Sequence, residues 1–202
     1  MTVDFCLQDI DDEFLDEIDE IMEDTMIQIF VVHVTDREVL ERIKKSAKNL
    51  NALYYAVTVD LQEDIDENCI GYIVEDETSL SKLKESDKAI LVEENSLSEA
   101  FVSTLKENSY KGIIFNATHL HEELENFYLS LGAKNISKIE PTSLEKISMD
   151  SIVLQSTYPE FSFESITDTV KVISDTLFRP EQSIIARATK SSLNLLNLYK
   201  GQ

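Results

Sequence analysis

The chain has 202 residues, 43% of them hydrophobic, which is enough for a packed core that needs no disulfide or metal staples. Its 39 acidic residues face 18 basic ones, for a formal net charge of −21. That balance argues against nucleic acid and anionic membranes as partners, because both are held by clustered Lys and Arg.

The charge is uneven. The first 36 residues carry 12 acidic and no basic side chains, and residues 49–81 again lack Lys and Arg. A solvated surface is the first reading of such acids, and a face for a basic protein partner is the other. A start with no Lys or Arg before Arg37 lacks the basic region of a signal peptide and the arginines of a transit peptide, so the cytoplasm is expected. The longest apolar runs, such as Ile29-Phe30-Val31-Val32, are far too short to span a bilayer.

In chain order, an apolar strand is predicted over 3–6. An acidic helix follows, with Phe14, Leu15, Ile18, Ile21 and Met22 on one face and Asp11 or Asp12 as its cap. A strand over 26–34 leads to a helix capped by Asp36 and buried through Val39, Leu40, Ile43, Ala47 and Leu50. Strands are predicted over 53–59, 69–74 and 89–92, the last followed by a helix through Leu97, Ala100, Phe101 and Leu105. A strand over 111–116 precedes a helix carrying Leu120, Leu124, Phe127 and Leu131, then a weak strand over 135–139. A last strand over 151–154 is followed by a helix through Phe163, Ile166, Val170, Ile173 and Leu177. Pro180 then starts a final helix.

Eight strands, mostly alternating with helices, predict a parallel sheet closed as a (β/α)8 barrel of the TIM type. It is trimmed or distorted where 60–68 and 76–88 are too short for full helices. An open doubly wound parallel sheet is the alternative. No repeat or Pro/Gly-rich linker divides the chain, so residues 1–202 are expected to form a single domain. Cys6 and Cys69 lie in strand-like segments without metal-binding spacing, and buried reduced thiols are expected.

Several segments together resemble a known family. Val3-Asp4-Phe5-Cys6-Leu7-Gln8, Ile29-Phe30-Val31-Val32 and Leu53-Tyr54-Tyr55-Ala56-Val57 resemble the start of TatD-type metal-dependent deoxyribonucleases. Cys69-Ile70-Gly71-Tyr72-Ile73, Lys111-Gly112-Ile113-Ile114 and Leu131-Gly132 are similar to its middle, and residues 151–159 to its last-strand signature. The resemblance implies a barrel of the metal-dependent hydrolase kind, with divalent ions activating water at its C-terminal face.

The same resemblance implies that the ligands are gone. Its His-x-His pair falls on Cys6-Leu7-Gln8, its bridging Glu on Tyr72, its two later histidines near Glu93 and on Phe115, and its last Asp on Thr157. The vestigial pocket is therefore expected to consist of Cys6, Gln8, Tyr72, Glu93, Phe115, Gln155 and Thr157, with no cofactor. Phe115 and Tyr72 are expected to turn inward and partly fill it, with the Tyr72 hydroxyl meeting a polar neighbour.

Other groups could stand in for the missing ligands. His33, in an apolar run, reads as a core histidine. His119 and His121 form an H-x-H pair that chelates if extended but diverges on a helix. Glu93 and Glu94 read as surface acids, and the acidic runs at 63–67 and 75–77 as solvated loops. Three functions follow. The first is a degenerate TatD-like protein that has lost phosphodiester hydrolysis and serves as a binding or structural partner. The second is an active divalent-metal hydrolase with ligands drawn from Asp4, Asp60, Glu93, His119 and Thr157. The third is a small-molecule binding module in the vacated pocket.

Overall fold

The computed structural model describes residues 2–8, 10–84 and 87–197, with the side chain of Cys6 outside the description. The chain runs β1 (Thr2–Leu7), α1 (Asp12–Asp24), β2 (Ile27–Val34), α2 (Arg37–Ala47), β3 (Leu53–Thr58), β4 (Cys69–Ile73), α3 (Glu77–Lys82) and β5 (Ala89–Glu93). It continues through α4 (Glu99–Glu107), β6 (Gly112–Phe115), β7 (Phe127–Leu131), α5 (Ala133–Ile136), α6 (Pro141–Leu144), β8 (Ile152–Leu154), α7 (Ser165–Leu177) and α8 (Glu181–Leu195). The strands pair in parallel, each with the next, and β1 with β8, so the sheet closes as an eight-stranded barrel rather than an open sheet. Closure brings all eight C-terminal strand ends to one face, where barrels of this kind carry their sites.

Helix starts follow local chemistry. The Asp11 carboxylate accepts from Phe14 N at 2.9 Å, and Asp36 accepts from Glu38 N and Val39 N, satisfying donors that a helix leaves unpaired at its N-terminus. The thin connections are as expected. Residues 60–68 hold only the end of a 3-10 turn, Val59–Leu61, and 76–88 hold the six-residue α3.

Two elements differ from expectation. Residues 120–131 are not a helix. His121 begins a looped stretch, and Phe127–Leu131 is β7, pairing with Gly112–Ile114 and Ile152–Leu154. The spacing of Leu120, Leu124, Phe127 and Leu131 mimics a helical stripe, but the operative period is two: Phe127, Leu129 and Leu131 pack outward while Tyr128 joins the inner cluster. The weak strand over 135–139 is absent as well, since α5 occupies its start. The Asn135 side chain accepts from Gly132 N and donates to Ala117 O and Ser130 O, a buried knot that turns the chain off the sheet. Ala100, placed on the buried face of α4, is exposed.

The core is two-layered. Between sheet and helices lie Phe14, Ile18, Phe30, Leu40, Ile43, Leu53, Tyr55, Phe101, Ile166, Val170 and Ile173. Inside the barrel lie Val3, Phe5, Val31, Ala56, Ala89, Leu91, Ile113, Phe115 and Val153, joined by Leu195 and Leu196 from the end of α8. A barrel this tight restricts side-chain size between strands. A Cβ on Gly112 would lie 1.7 Å from Ile90 O, and one on Gly132 would lie 2.3 Å from Gln155 O, so both positions need glycine for close backbone approach. Cys69 is a buried free thiol, and burial pushes it up to about 11, keeping it protonated. No helix among the described residues is long and apolar enough to cross a membrane.

Candidate functional site

A cavity of about 300 Å³ opens at the C-terminal mouth of the barrel, lined on one side by Gln8, His33, Ile73, Leu91, Glu93 and Phe115. The alternation that buries Val31 inside the barrel also turns His33 inward. Its ring meets Phe115 edge-on, with centroids 4.7 Å apart. Burial pushes His33 down to about 4, against a hydrogen bond to the Phe5 backbone that raises it, so the imidazole is neutral. Its Nε2 is buried without a hydrogen-bond partner among the described residues.

The other side of the mouth is a continuous hydrogen-bonded chain. Ser130 Oγ donates to Gln155 Oε1 at 2.6 Å, and Gln155 Nε2 donates to Asn116 Oδ1 at 3.0 Å and Thr157 Oγ1 at 3.1 Å. Asn116 Nδ2 in turn donates to Glu93 Oε2 at 2.7 Å. Residues at or just past the ends of β5, β6, β7 and β8 are thereby linked. Asn116 and Thr157 both hold left-handed backbone, with φ of 54° and 66°. Asn tolerates that region, but a β-branched Thr there is strained, and strain of this kind persists where surrounding contacts over-determine it.

A third cluster sits on the rim, between the loops that follow β5 and β6. Glu94 accepts from Thr118 N at 2.9 Å and from Thr118 Oγ1 at 2.6 Å, and lies 2.9 Å from His121 Nε2 and 3.5 Å from His119 Nδ1. Burial alone would raise the Glu94 carboxyl, but the Thr118 hydroxyl, His121, the Thr118 amide and the charge of His119 hold it below the usual carboxylate range. Glu94, His119 and His121 are the one group of three or more such side chains among the described residues whose ligand atoms lie within 4.8 Å of one another. Glu94 is therefore not the plain surface acid expected, and the His pair is not on a helix.

No protein-family model matches the chain, and no curated protein sequence matches it. Solved structures do. A TatD-family hydrolase from Entamoeba histolytica superposes with a TM-score of 0.68 at 10% identity, over 98% of each chain. An uncharacterized amidohydrolase from Saccharomyces cerevisiae gives 0.68 at 10% identity, over 96% of this chain and 99% of that one. A dihydroxybenzoic acid decarboxylase from Polaromonas sp. JS666, solved with bound manganese and an inhibitor, gives 0.62 at 10% identity, over 99% and 97%. The fold is therefore the closed parallel barrel found in these metal-dependent hydrolases and their relatives.

The TatD-type resemblance implies divalent ions inside the mouth of the barrel, so the residues there can be tested for fit. Gln8, Glu93 and Phe115 line the cavity, Gln155 and Thr157 belong to the hydrogen-bonded chain, and Cys6 lies on β1 with its side chain outside the description. Tyr72 is on the other side of the sheet, in the layer beneath the helices. An extra residue in β4 shifts the register, because Tyr55 faces Cys69 while Ala56 faces Gly71; Ile73, not Tyr72, then points to the cavity. Neutral amides and hydroxyls, a phenyl ring, one imidazole (His33) and the Glu93 carboxylate held by Asn116 are too few charged or basic donors to make the divalent-ion site that the resemblance implies. The residues present do not fit the metals of the fold.

The alternative ligand set is also dispersed. Asp4 alternates with the inward Val3 and Phe5, and its buried carboxylate accepts from Ser156 N at 2.9 Å and from the Ser156 hydroxyl. Asp60 is exposed, 3.7 Å from Lys82. His119 belongs to the rim. His33, Asn116 and Ser130 are the residues of the mouth that sequence reasoning left unassigned to it. Their signal is positional, since each lies at or next to the end of a strand whose inward alternation is already established by its apolar neighbours.

Proposed function

We propose that this chain is a non-hydrolysing barrel on the metal-dependent hydrolase fold, acting in the cytoplasm as a binding or structural partner of another protein. One observation carries the reading. Where an enzyme of this fold needs charged ligands free to take an ion, the chain has a closed run of mutually satisfied side chains from Ser130 through Gln155 and Asn116 to Glu93. Buried polar groups that satisfy one another rigidify a site, and a carboxylate already held by Asn116 is less free to take an ion. The test is a cleavage assay on double- and single-stranded DNA with Mg²⁺, Mn²⁺ and Zn²⁺ in turn. Product at the level of buffer alone is expected, and metal-dependent cleavage that disappears in Glu93→Gln overturns the reading.

A second reading rests on a different observation. The cavity of about 300 Å³ keeps a buried, partnerless imidazole nitrogen beside apolar Ile73, Leu91 and Phe115, a combination suited to a small, mostly apolar ligand with one hydrogen-bond donor. A thermal-shift screen against small phenols and amides tests it. Protection by such a compound, lost in His33→Leu, would support this reading over a purely structural role.

A further inference from the structure

We infer that the rim cluster of Glu94, His119 and His121 is a zinc site, built from residues outside the mouth of the barrel. The donor set is the first argument. Two imidazoles and a carboxylate form a His₂Glu set of the type zinc takes, with the fourth position left to water.

The spacing is the second argument. Bonds of about 2.0–2.1 Å place tetrahedral donor atoms roughly 3.3–3.4 Å apart. Here the Glu94 oxygen lies 2.9 Å from His121 Nε2 and 3.5 Å from His119 Nδ1, and all three atoms are within 4.8 Å of one another. The two rings are 4.9 Å apart and inclined by 35°, so both face the same carboxylate oxygen without stacking. Exposed His119, whose Nδ1 now lies 3.0 Å from Thr118 Oγ1, would rotate toward the ion, and the 2.9 Å contact of Glu94 with His121 would open by a few tenths of an ångström.

The surroundings are the third, and they are independent of the ligand atoms. Behind His121, on the opposite ring nitrogen, Glu123 Oε1 lies 3.9 Å from Nδ1. At that distance it is an ion-pair contact rather than a hydrogen bond, and a small rotation would bring it to the position from which a carboxylate orients a metal-bound imidazole. Glu94 is oriented in the same way by the amide and hydroxyl of Thr118. Without an ion these contacts tie the loop after β6 to Glu94. With one, they hold both ligands in the geometry that zinc demands.

The site would fasten the loop after β6 to the end of β5. It reaches the mouth through Thr118, two positions beyond Asn116, so an ion on the rim would stiffen the segment that carries the Gln155–Asn116 bond. Zinc binding here is independent of whether the barrel hydrolyses anything.

Titration of ZnCl₂ into chelator-stripped full-length protein, followed by calorimetry and thermal melting, tests the inference. One ion per chain and a raised Tm are expected. His119→Ala, an exposed position that should not disturb folding, is expected to weaken binding more than tenfold, and Glu123→Gln roughly 10–100-fold. Glu63→Gln, in an unrelated acidic loop, should leave the affinity unchanged. Co²⁺ in place of Zn²⁺ should give the visible absorption of a tetrahedral site in the parent protein and lose it in His119→Ala. Zinc uptake at several ions per chain, unaltered by His119→Ala and His121→Ala, would show adventitious binding to the acidic surface and overturn the assignment.

Discussion

Gln155 Nε2 donates to Asn116 Oδ1 at 3.0 Å, joining the ends of β8 and β6, two strands separated in the sheet by β7. The amide thus bridges across the mouth of the barrel rather than along its wall. Because it also accepts from Ser130 and donates to Thr157, Gln155 is the centre of the network.

Removing that centre should be costly. Gln155→Leu keeps the volume but leaves the Ser130 hydroxyl, Asn116 Oδ1 and Thr157 without partners in a buried setting. Each unpaired buried group costs about 1–3 kcal/mol, and relaxation at the open mouth recovers part of it. A net loss of about 2–4 kcal/mol is expected by urea denaturation. A loss under about 0.5 kcal/mol would mean that water replaces the amide and the mouth is loosely held.

Acid should weaken the fold through His33. Its imidazole has a pKa near 4 when folded and about 6.5 when unfolded. Between those values the unfolded chain binds the extra proton. The stability that depends on a neutral His33 is therefore whole above pH 6.5 and is lost as pH falls through 4. The loss should be on the order of 3 kcal/mol. Unfolding of His33→Leu between pH 7 and 4 should lack this component, and equal pH dependence in both proteins would contradict it.

Restoring a metal ligand of the fold should destabilise the chain. Phe115 is 2% exposed and packs among Ile113, Leu91 and His33. Phe115→His removes apolar volume and places a polar ring in a largely apolar pocket, beside Leu91 and Ile113. A cost of about 2–4 kcal/mol is expected from the lost burial and the unpaired nitrogen, read as a lower Tm, with no gain in Mg²⁺ or Mn²⁺ binding.

Asp4 and Asp11 are both acids near the N-terminus, yet they should respond differently to removal. Asp11→Ala loses one cap on α1, about 1 kcal/mol. Asp4→Ala strips two donors of Ser156 of their acceptor inside the sheet, about 2–4 kcal/mol. Parallel denaturation curves for the two variants check the order.

The barrel was legible in the sequence because Val31, Ile90 and Ile114 sit in apolar runs and because Asp11 and Asp36 precede helical stripes. β7 was not legible, since Phe127 and Leu131 fit a period of 3.6 as well as one of two, and only pairing with Gly112 and Ile152 decides. Tyr72 was placed on the wrong side for a similar reason, as one extra residue in β4 reverses every side chain beyond it. The rim cluster was visible only in pieces. Glu94 and His121 are 27 positions apart, and their meeting depends on β5 and β6 being neighbours, so that the loops leaving them share one stretch of rim. The Gln155 network had no spacing signal, because amide side chains reveal a role only through what they reach.

The bond between Asp4 and Ser156 spans 152 positions of sequence, and it flanks the single register pair, Asp4 with Leu154, by which β1 meets β8. During synthesis β1 must therefore wait, with one edge open, until the last strand has been made. At about 5–20 residues per second that is roughly 10–30 s. An apolar strand left open for so long invites pairing with other nascent chains. A carboxylate at its centre puts charge on that open strand, a feature that disfavours such pairing. The side chain that rivets the closed seam is thus also the one charged group on the strand that must wait for it.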